Sequence, residues 1–277
     1  MLKARVITAL ALLALLLPSL FFLPQAGWAL LMAAVVGVAA WEWGALLGWQ
    51  SSARRGLGVG FAVFCAVVAL FDPAALGVGQ FTPAMNWVWL AYGASAVLWG
   101  VVVPLWLRRK WRVTGVPGLL VGAVLLFPTW LAMVQLRALG PGVLLAVLAV
   151  VWMADIAAYF SGRAFGRRKL APNISPGKTW EGAFGAVLGV LAYGFAVPAL
   201  AGVELLPAWL WAPLLLLTTV VSIIGDLFES MLKRQAGIKD SSNILPGHGG
   251  VLDRVDSLTS TLPFAALLWL LFVGVAG

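Results

Sequence analysis

Two aspartates that follow a glycine-rich turn form a candidate metal site. Asp253 and Asp256 are three residues apart, so both carboxylates fall on one face of a helix. Hard oxygen ligands of this kind suit Mg²⁺, which typically bridges one or two carboxylates to the phosphates of a substrate. The sequence has one histidine and one cysteine, so a zinc site is not expected. The pair therefore predicts magnesium-assisted phosphate chemistry.

The segment before these aspartates is suited to binding phosphate. Lys233, Arg234 and Lys239 supply cations. Residues 246–250, Pro-Gly-His-Gly-Gly, form a turn with few side chains, so its backbone N–H groups can approach an anion closely. A solvated loop would explain the basic residues, but not a glycine-rich turn followed at once by paired acids.

Polar residues continue into the preceding apolar segment. Ser222, Asp226, Ser230 and Lys233 recur at spacings of four, four and three, which places them on one helix face, and Glu229 flanks it. The pattern predicts a hydrophilic groove that runs from the membrane surface into a helix bundle. Polar packing between helices is the alternative.

The elements that carry these residues are expected to be membrane-spanning helices. Of the 277 residues, 62% are hydrophobic and 10% are charged, against about 25% charged in soluble domains. Long continuous apolar runs favour helices over a barrel. The chain therefore reads as an all-α, polytopic helical bundle, one integral membrane domain over 1–277. The nine candidate spans are 6–23, 28–49, 57–71, 87–107, 117–135, 142–160, 182–200, 208–228 and 258–275.

Two spans leave alternatives open. Lys3 and Arg5 precede the first apolar run as in a secretory signal, with cleavage near 26–29, but the run continues to Leu23, which favours a retained span. The third span is short, so it could be tilted or partly re-entrant.

Basic residues predict the orientation. With nine spans and a cytoplasmic N-terminus, all of the 18 Lys and Arg except Arg137 fall on the cytoplasmic side. The two longest polar segments, 161–181 and 229–257, are then cytoplasmic active-site loops. Because the basic residues lie in short loops between spans, nucleic acid is not an expected partner despite the +8 charge.

Acidic residues within the spans are candidates for function, because a charge at mid-helix costs about 2.5–3.5 kcal/mol on insertion scales. They are Glu42, Asp155 and Asp226. Both a structural and a functional interpretation stay open for Glu42. Asp155 and Asp226 lie at the same level as the polar loops, which favours a functional role for them. Asp72 and Glu204 fall in outer loops and are expected to be solvated.

The segment 230–256 resembles the signature of the phosphatidate cytidylyltransferase family, with every element at the family's spacing. The matching residues are Ser230, Lys233, Arg234, Lys239, Asp240, Pro246, His248, Gly249, Gly250, Asp253, Arg254 and Asp256. Upstream, Asp155 and the segment 174–182, which contains Ser175, Lys178 and Thr179, are similar too. One departure is Ile-Ala-Ala at 156–158, where the family more often has Thr or Ser and Gly after the aspartate. It weakens any role of the 156–157 backbone but not that of Asp155.

The resemblance implies an enzyme that makes CDP-diacylglycerol and pyrophosphate from CTP and phosphatidate. It implies Mg²⁺, with K⁺ as a companion ion. Asp226 and Asp253 are the expected metal ligands and Asp256 the next, because the last two spans form a hairpin around the loop. His248 is expected to orient phosphate or the loop.

The remaining residues are assigned to substrates on the same basis. Lys233, Arg234 and Lys239 are expected to hold the triphosphate, and Ser175, Lys178 and Thr179 another phosphate, for which that of the lipid is the candidate. The alternative is that both loops form one nucleotide site. Further substrate-binding candidates are Asp155, Ser230, Asp240, Gly249, Gly250 and Arg254. Membrane lipids surround the protein, a homodimer is expected, and the location is the bacterial cytoplasmic membrane.

Two other functions are compatible with parts of the sequence. A CTP-dependent enzyme for another lipid, such as an ether lipid or a polyprenol, would share the signature. A transporter using Glu42, Asp155 and Asp226 would be expected to show inverted repeats and broken helices at the midplane. The sequence shows no convincing repeat, which favours the enzyme.

Overall fold

Nine helices long and apolar enough to cross a membrane make up most of the computed structural model, which describes residues 2–82, 85–112, 114–203 and 206–272, with side chains from residue 5. The predicted polytopic helical bundle is thereby confirmed. The helices are α1 (Leu2–Phe22), α2 (Gln25–Leu46), α3 (Ser51–Phe71), α4 (Asn86–Val97), α5 (Val103–Arg109), α6 (Gly115–Ala138), α7 (Pro141–Phe165), α8 (Trp180–Leu200), α9 (Ala208–Gln235) and α10 (Leu252–Phe272). A five-residue π-helical stretch, Leu98–Val102, joins α4 and α5 into one span.

Several helices are longer than the apolar runs that predicted them. The third span is a full helix of 21 residues, not a short one, because its polar first turn is helical as well. In the same way α7 and α9 continue past their predicted ends, so the two polar loops shrink to 166–179 and 236–251. Long basic side chains at a helix end reach the polar surface while their backbone stays helical.

A small β-hairpin lies between α7 and α8, which the all-α prediction missed. Its strands are β1 (Lys169–Ala171) and β2 (Ser175–Thr179), paired antiparallel with Lys169 opposite Thr179 and Ala171 opposite Ser175. Strands this short, with Pro and Gly in the second, lack the alternating apolar pattern by which a strand is recognised.

Tryptophans tie α2 to α6 at the centre of the bundle. The indole of Trp28 donates to the carbonyl oxygen of Met133 at 3.1 Å, and that of Trp130 donates to Ala29 at 3.0 Å. Because lipid tails are as apolar as the side chains, helices in a membrane depend on hydrogen bonds and close packing for association. The indole hydrogen bonds are an example of the former.

Glycines supply the close packing. A Cβ added at Gly58 of α3 would lie 2.7 Å from the carbonyl oxygen of Gly37 in α2. A Cβ at Gly189 of α8 would lie 2.5 Å from the Cβ of Ala157 in α7. Both helix pairs therefore approach backbone to backbone.

The first helix is peripheral but is attached near both of its ends. The Thr8 hydroxyl donates to the carbonyl oxygen of Pro246 at 2.9 Å, and the Arg137 guanidinium donates to that of Leu20 at 3.0 Å. The start of α1 therefore lies at the same end of the bundle as the loop 236–251, and Arg137 lies at the other end. The one basic residue outside the predicted cytoplasmic set binds the carbonyl end of a helix, where a cation is favourable.

Of the two acids expected to be solvated, Asp72 is half-buried and is held by protein donors as well. Its carboxylate accepts hydrogen bonds from the backbone N–H of Ala75 at 3.2 Å and from the Trp87 indole at 2.8 Å. It therefore holds the connection between α3 and α4. Glu204 lies outside the described residues.

Candidate active site

A cavity of about 460 Å³ lies between α7, α8, α9 and the β-hairpin. It brings together residues that are up to about 100 positions apart in the chain. Its polar lining consists of Asp155 and Tyr159 and Arg163 from α7, Ser175, Lys178 and Thr179 from β2, Ser222 and Asp226 from α9, and Ser257 from α10. The upstream candidates of the sequence analysis thus share one cavity with Asp226.

The β-hairpin is the element that presents Lys178 to the cavity. Thr179, the last residue of β2, follows Lys178. Its hydroxyl accepts a hydrogen bond from the backbone N–H of Gly182 at 3.1 Å and so caps α8. The Glu181 carboxylate accepts from the backbone N–H of Arg167 at 3.1 Å, on the chain that leads into β1. These contacts fix both strands against the start of α8.

Lys178 forms an ion pair with Asp226. The Ser230 hydroxyl donates to the other oxygen of Asp226 at 3.1 Å. About a quarter of each ion-pair side chain is exposed, so the pair is reachable from the cavity. An ionisable residue within a span is normally stabilised by such a partner, and a cation beside a carboxylate is an arrangement that can receive a phosphate.

The last helix passes close to this ion pair. A Cβ at Gly225 would lie 2.5 Å from the Ser260 hydroxyl and 3.1 Å from the Asp256 carbonyl oxygen, so only glycine allows the approach of α9 to α10. The carboxylates of Asp155 and Asp226 are both near enough to act electrostatically on that of Asp256. The region thus brings the carboxylates of α7, α9 and α10 within electrostatic reach of one another.

A second cluster lies at the start of α10, around Lys233. Its ammonium is 2.6 Å from Asp253 Oδ1 and 3.1 Å from Glu229 Oε1. The other oxygen of Asp253 accepts from the Ser241 N–H at 2.8 Å, the Ser241 hydroxyl at 2.9 Å and the Gly250 N–H at 2.7 Å. With 6% of its surface exposed, Asp253 anchors the loop 236–251 to α10.

The two expected metal ligands are therefore in different surroundings. Both oxygens of each aspartate have protein partners, but Asp226 lies in the cavity with about a quarter of its side chain exposed, whereas Asp253 is buried. Asp256 is the acid of α10 whose carboxylate interacts electrostatically with Asp226. No three His, Cys, Asp or Glu among the described residues are arranged to hold a metal by themselves. The donor set fits a Mg²⁺ ion that takes one or two carboxylates and completes its shell with phosphate and water.

The glycine-rich turn is closed by its own backbone. Leu245 N–H donates to the carbonyl oxygen of Gly249 at 2.9 Å, and His248 N–H donates to that of Leu245 at 2.8 Å. Gly247 and Gly249 have φ of 76° and 79°, a region that favours glycine. His248 Nδ1 is buried without a hydrogen-bond partner among the described residues.

The remaining predicted residues are not part of the cavity lining. They are exposed side chains at the end of α9, in the loop and in the first turn of α10, namely Arg234, Lys239, Asp240 and Arg254. Their predicted contacts with substrate stay predictions.

Sequence reasoning missed two residues that support the site. Ser241 donates twice to Asp253, and nothing in its polar surroundings distinguishes it from its neighbours. Glu181 fixes the hairpin to α8. Its position in the first turn of a helix, where acids are favoured, is the sequence feature that could have indicated this role.

Comparisons with known proteins agree with this architecture. A family model described as Cytidylyltransferase family matches residues 3–272. The phosphatidate cytidylyltransferase of Pseudomonas aeruginosa is 47% identical over 283 residues, covering 97% of both chains. That of Haemophilus influenzae is 36% identical over 281 residues, 95% of this chain and 97% of the relative. The resemblance of the signature is confirmed over the whole length: the chain belongs to the cytidylyltransferase family and is a membrane-embedded nucleotidyltransferase.

Proposed function

We propose that this enzyme transfers the cytidylyl group of CTP to phosphatidate and so forms CDP-diacylglycerol and pyrophosphate. The observation that carries the proposal is the cavity in which Lys178 of the hairpin meets Asp226 of α9. A cation and carboxylates where a polar loop meets the spans suit a reaction between a lipid phosphate and a nucleotide. Relatives that match the chain from end to end are named phosphatidate cytidylyltransferases.

The proposed reaction needs no nucleophile from the protein. A phosphate oxygen of phosphatidate attacks the α-phosphorus of CTP in line, and the bond from that phosphorus to the oxygen of the β-phosphate breaks. Pyrophosphate leaves with the bonding electrons. A phosphate monoester has a second pKa near 6, so it is already largely ionised at neutral pH and needs no strong base. The catalytic demand is positioning and charge neutralisation.

The positioning and the charge neutralisation are divided between the cavity and the exposed basic residues near the loop 236–251. Lys178 faces the cavity and holds a phosphate there, while the exposed Arg234, Lys239 and Arg254 supply cations to the triphosphate. Asp226 and Asp256 would hold Mg²⁺, with Asp253 as a further candidate once a donor gives way. Bound there, the ion would neutralise and orient the phosphates.

Purified protein should incorporate labelled CTP into an organic-soluble lipid when phosphatidate and Mg²⁺ are present. Chelation with EDTA should abolish the incorporation, because the phosphate charge is then not neutralised. The measurement compares phosphatidate with a polyprenyl phosphate and an ether-lipid acceptor, with and without K⁺. Labelling that requires the polyprenyl phosphate and ignores phosphatidate would replace the proposed substrate with that lipid.

We further propose that the loop 236–251 faces the cytoplasm of a bacterial cell. The contact between Thr8 and Pro246 supports a common side for the N-terminus and this loop. In a Cys65→Ala background, cysteines introduced at the exposed Ser52 and Asn243 should react with an impermeant maleimide only from the cytoplasmic side. A cysteine at the exposed Ala201 should react only from outside.

The labelling is compared between intact cells and inverted membrane vesicles. Cys65 is buried, so its removal takes away a thiol that would react only after unfolding. Equal labelling of positions 243 and 201 from one side would contradict the number of spans between them. Labelling of 52 and 243 from opposite sides would contradict the shared face.

A further inference from the structure

Glu42 is a fully buried acid in the last turns of α2 that the proposed reaction does not use. It lies in α2 between two tryptophans, and 0% of its surface is exposed. An ionisable residue at such a position is costly unless it has partners. The hydrogen-bond donors around the Glu42 carboxylate indicate its structural role.

Among the described residues, the four hydrogen bonds to the Glu42 carboxylate all come from one distant segment, 241–252. Oε1 accepts from the Ser242 hydroxyl at 2.6 Å and the Val251 N–H at 3.0 Å. Oε2 accepts from the Leu252 N–H at 2.6 Å, and at 3.2 Å it shares the single proton of the Ser241 hydroxyl with Asp253. These donors lie about 200 positions further along the chain, so the contact joins α2 to the loop before α10.

Two of the donors belong to the start of α10. The first N–H groups of a helix have no acceptor within it and carry partial positive charge. Val251 directly precedes α10 and Leu252 is its first residue, so Glu42 caps this helix from another helix. The cap determines where α10 begins, and Asp253 and Asp256 follow within the next turn.

Gly250 shows how tightly the segment sits on this carboxylate. A Cβ at Gly250 would lie 2.6 Å from Glu42 Cδ, a distance that forces one of the two to move. The Gly250 N–H meanwhile donates to Asp253 at 2.7 Å. The glycine therefore allows two carboxylates, one from α2 and one from α10, to hold the same segment.

We propose that Glu42 is a positioning residue for cytidylyl transfer. It holds the segment 241–252 and the start of α10 so that Asp253 meets Lys233 and Asp256 lies beside Asp226. The inference rests on the proposed function for its effect on turnover, whereas its effect on the segment does not depend on any substrate.

Glu42→Gln keeps the shape of the side chain but replaces one acceptor oxygen with an NH₂ group that faces N–H and O–H donors. We expect kcat to fall about 10- to 100-fold, as for loss of a residue that orients a reactive group, with smaller changes in the KM values. Ser242→Ala removes one of the four donors and should lower kcat less. Hydrogen–deuterium exchange should become faster in 241–252 and stay unchanged in the hairpin 169–179.

Trp28→Phe is the matched control, because it also removes a buried hydrogen bond between α2 and another element, far from the loop. It should lower the thermal unfolding midpoint and leave kcat and the exchange of 241–252 near the wild-type values. Unchanged exchange of 241–252 in Glu42→Gln, or faster exchange with an unchanged kcat, would overturn the proposal. Wild-type protein that lacks cytidylyl transfer, while the exchange still responds to Glu42→Gln, would refute the proposed function instead.

Discussion

Asp226→Asn should lower the rate of cytidylyl transfer by about 100-fold or more, the scale of losing a principal charge-stabilising group. Asp226 is the acid of α9 that lines the cavity, and it holds Lys178 and accepts from Ser230. Asparagine fits the same space and keeps one acceptor oxygen, so the change removes charge without removing volume. The measurement is kcat at saturating CTP, phosphatidate and Mg²⁺.

Asp72→Asn provides the matched control for Asp226→Asn. It is the same chemical change at an acid that also accepts hydrogen bonds, but it lies in the connection between α3 and α4. Its turnover should stay within about twofold of wild type, since surface and loop changes of this kind mostly alter stability by small amounts. Near-normal turnover of Asp226→Asn would rule out its assignment as a charge-stabilising residue.

Lys233→Met should lower the free energy of unfolding by about 3 kcal/mol or more, because it leaves two buried carboxylates without their cation. The ammonium of Lys233 is shared by Glu229 and Asp253, both of which are buried. The Glu229 carboxylate has no hydrogen-bond donor among the described residues, so the ammonium is its main compensation. Methionine preserves the length of the side chain, and stability is measured by equilibrium unfolding in mixed micelles.

The double variant Lys233→Met/Glu229→Gln tests the cause of this loss. It removes one of the two stranded charges, so it should be more stable than Lys233→Met alone. A cycle of the four proteins gives the coupling free energy between the two positions. A double variant that is no more stable than the single one would mean that lost packing, not an unpaired charge, destabilises Lys233→Met.

The spans could be predicted because each leaves a long apolar run, and the bundle needs no further information to be recognised. The predicted ends are less accurate, since the charged residues at the end of α9 predict the start of a loop although the helix continues to Gln235. The contact between Asp226 and Ser230 could also be predicted, because a helix places residues four positions apart next to each other.

The surroundings of Asp253 could not be predicted, because they depend on the path of a loop. The same sequence of a glycine-rich turn and an aspartate is compatible with two structures: the carboxylate can face a metal, or it can accept hydrogen bonds from the N–H groups of the turn. The structure shows the second arrangement. The partners of Glu42 were equally hidden, since contacts about 200 positions apart leave no periodic pattern in a single sequence.

The contacts between α1, α2 and the loop 236–251 have a consequence for the biogenesis of the protein. Thr8 and Glu42 leave the ribosome about 200 residues or more before their partners, which lie between Ser241 and Leu252. The first two helices must therefore enter the bilayer without these partners and accept them only after that further length of chain has been made. During that interval Glu42 is an unpaired acid in a nascent span. An insertion intermediate arrested before α10 is thus expected to be inactive and to be a substrate for membrane quality control.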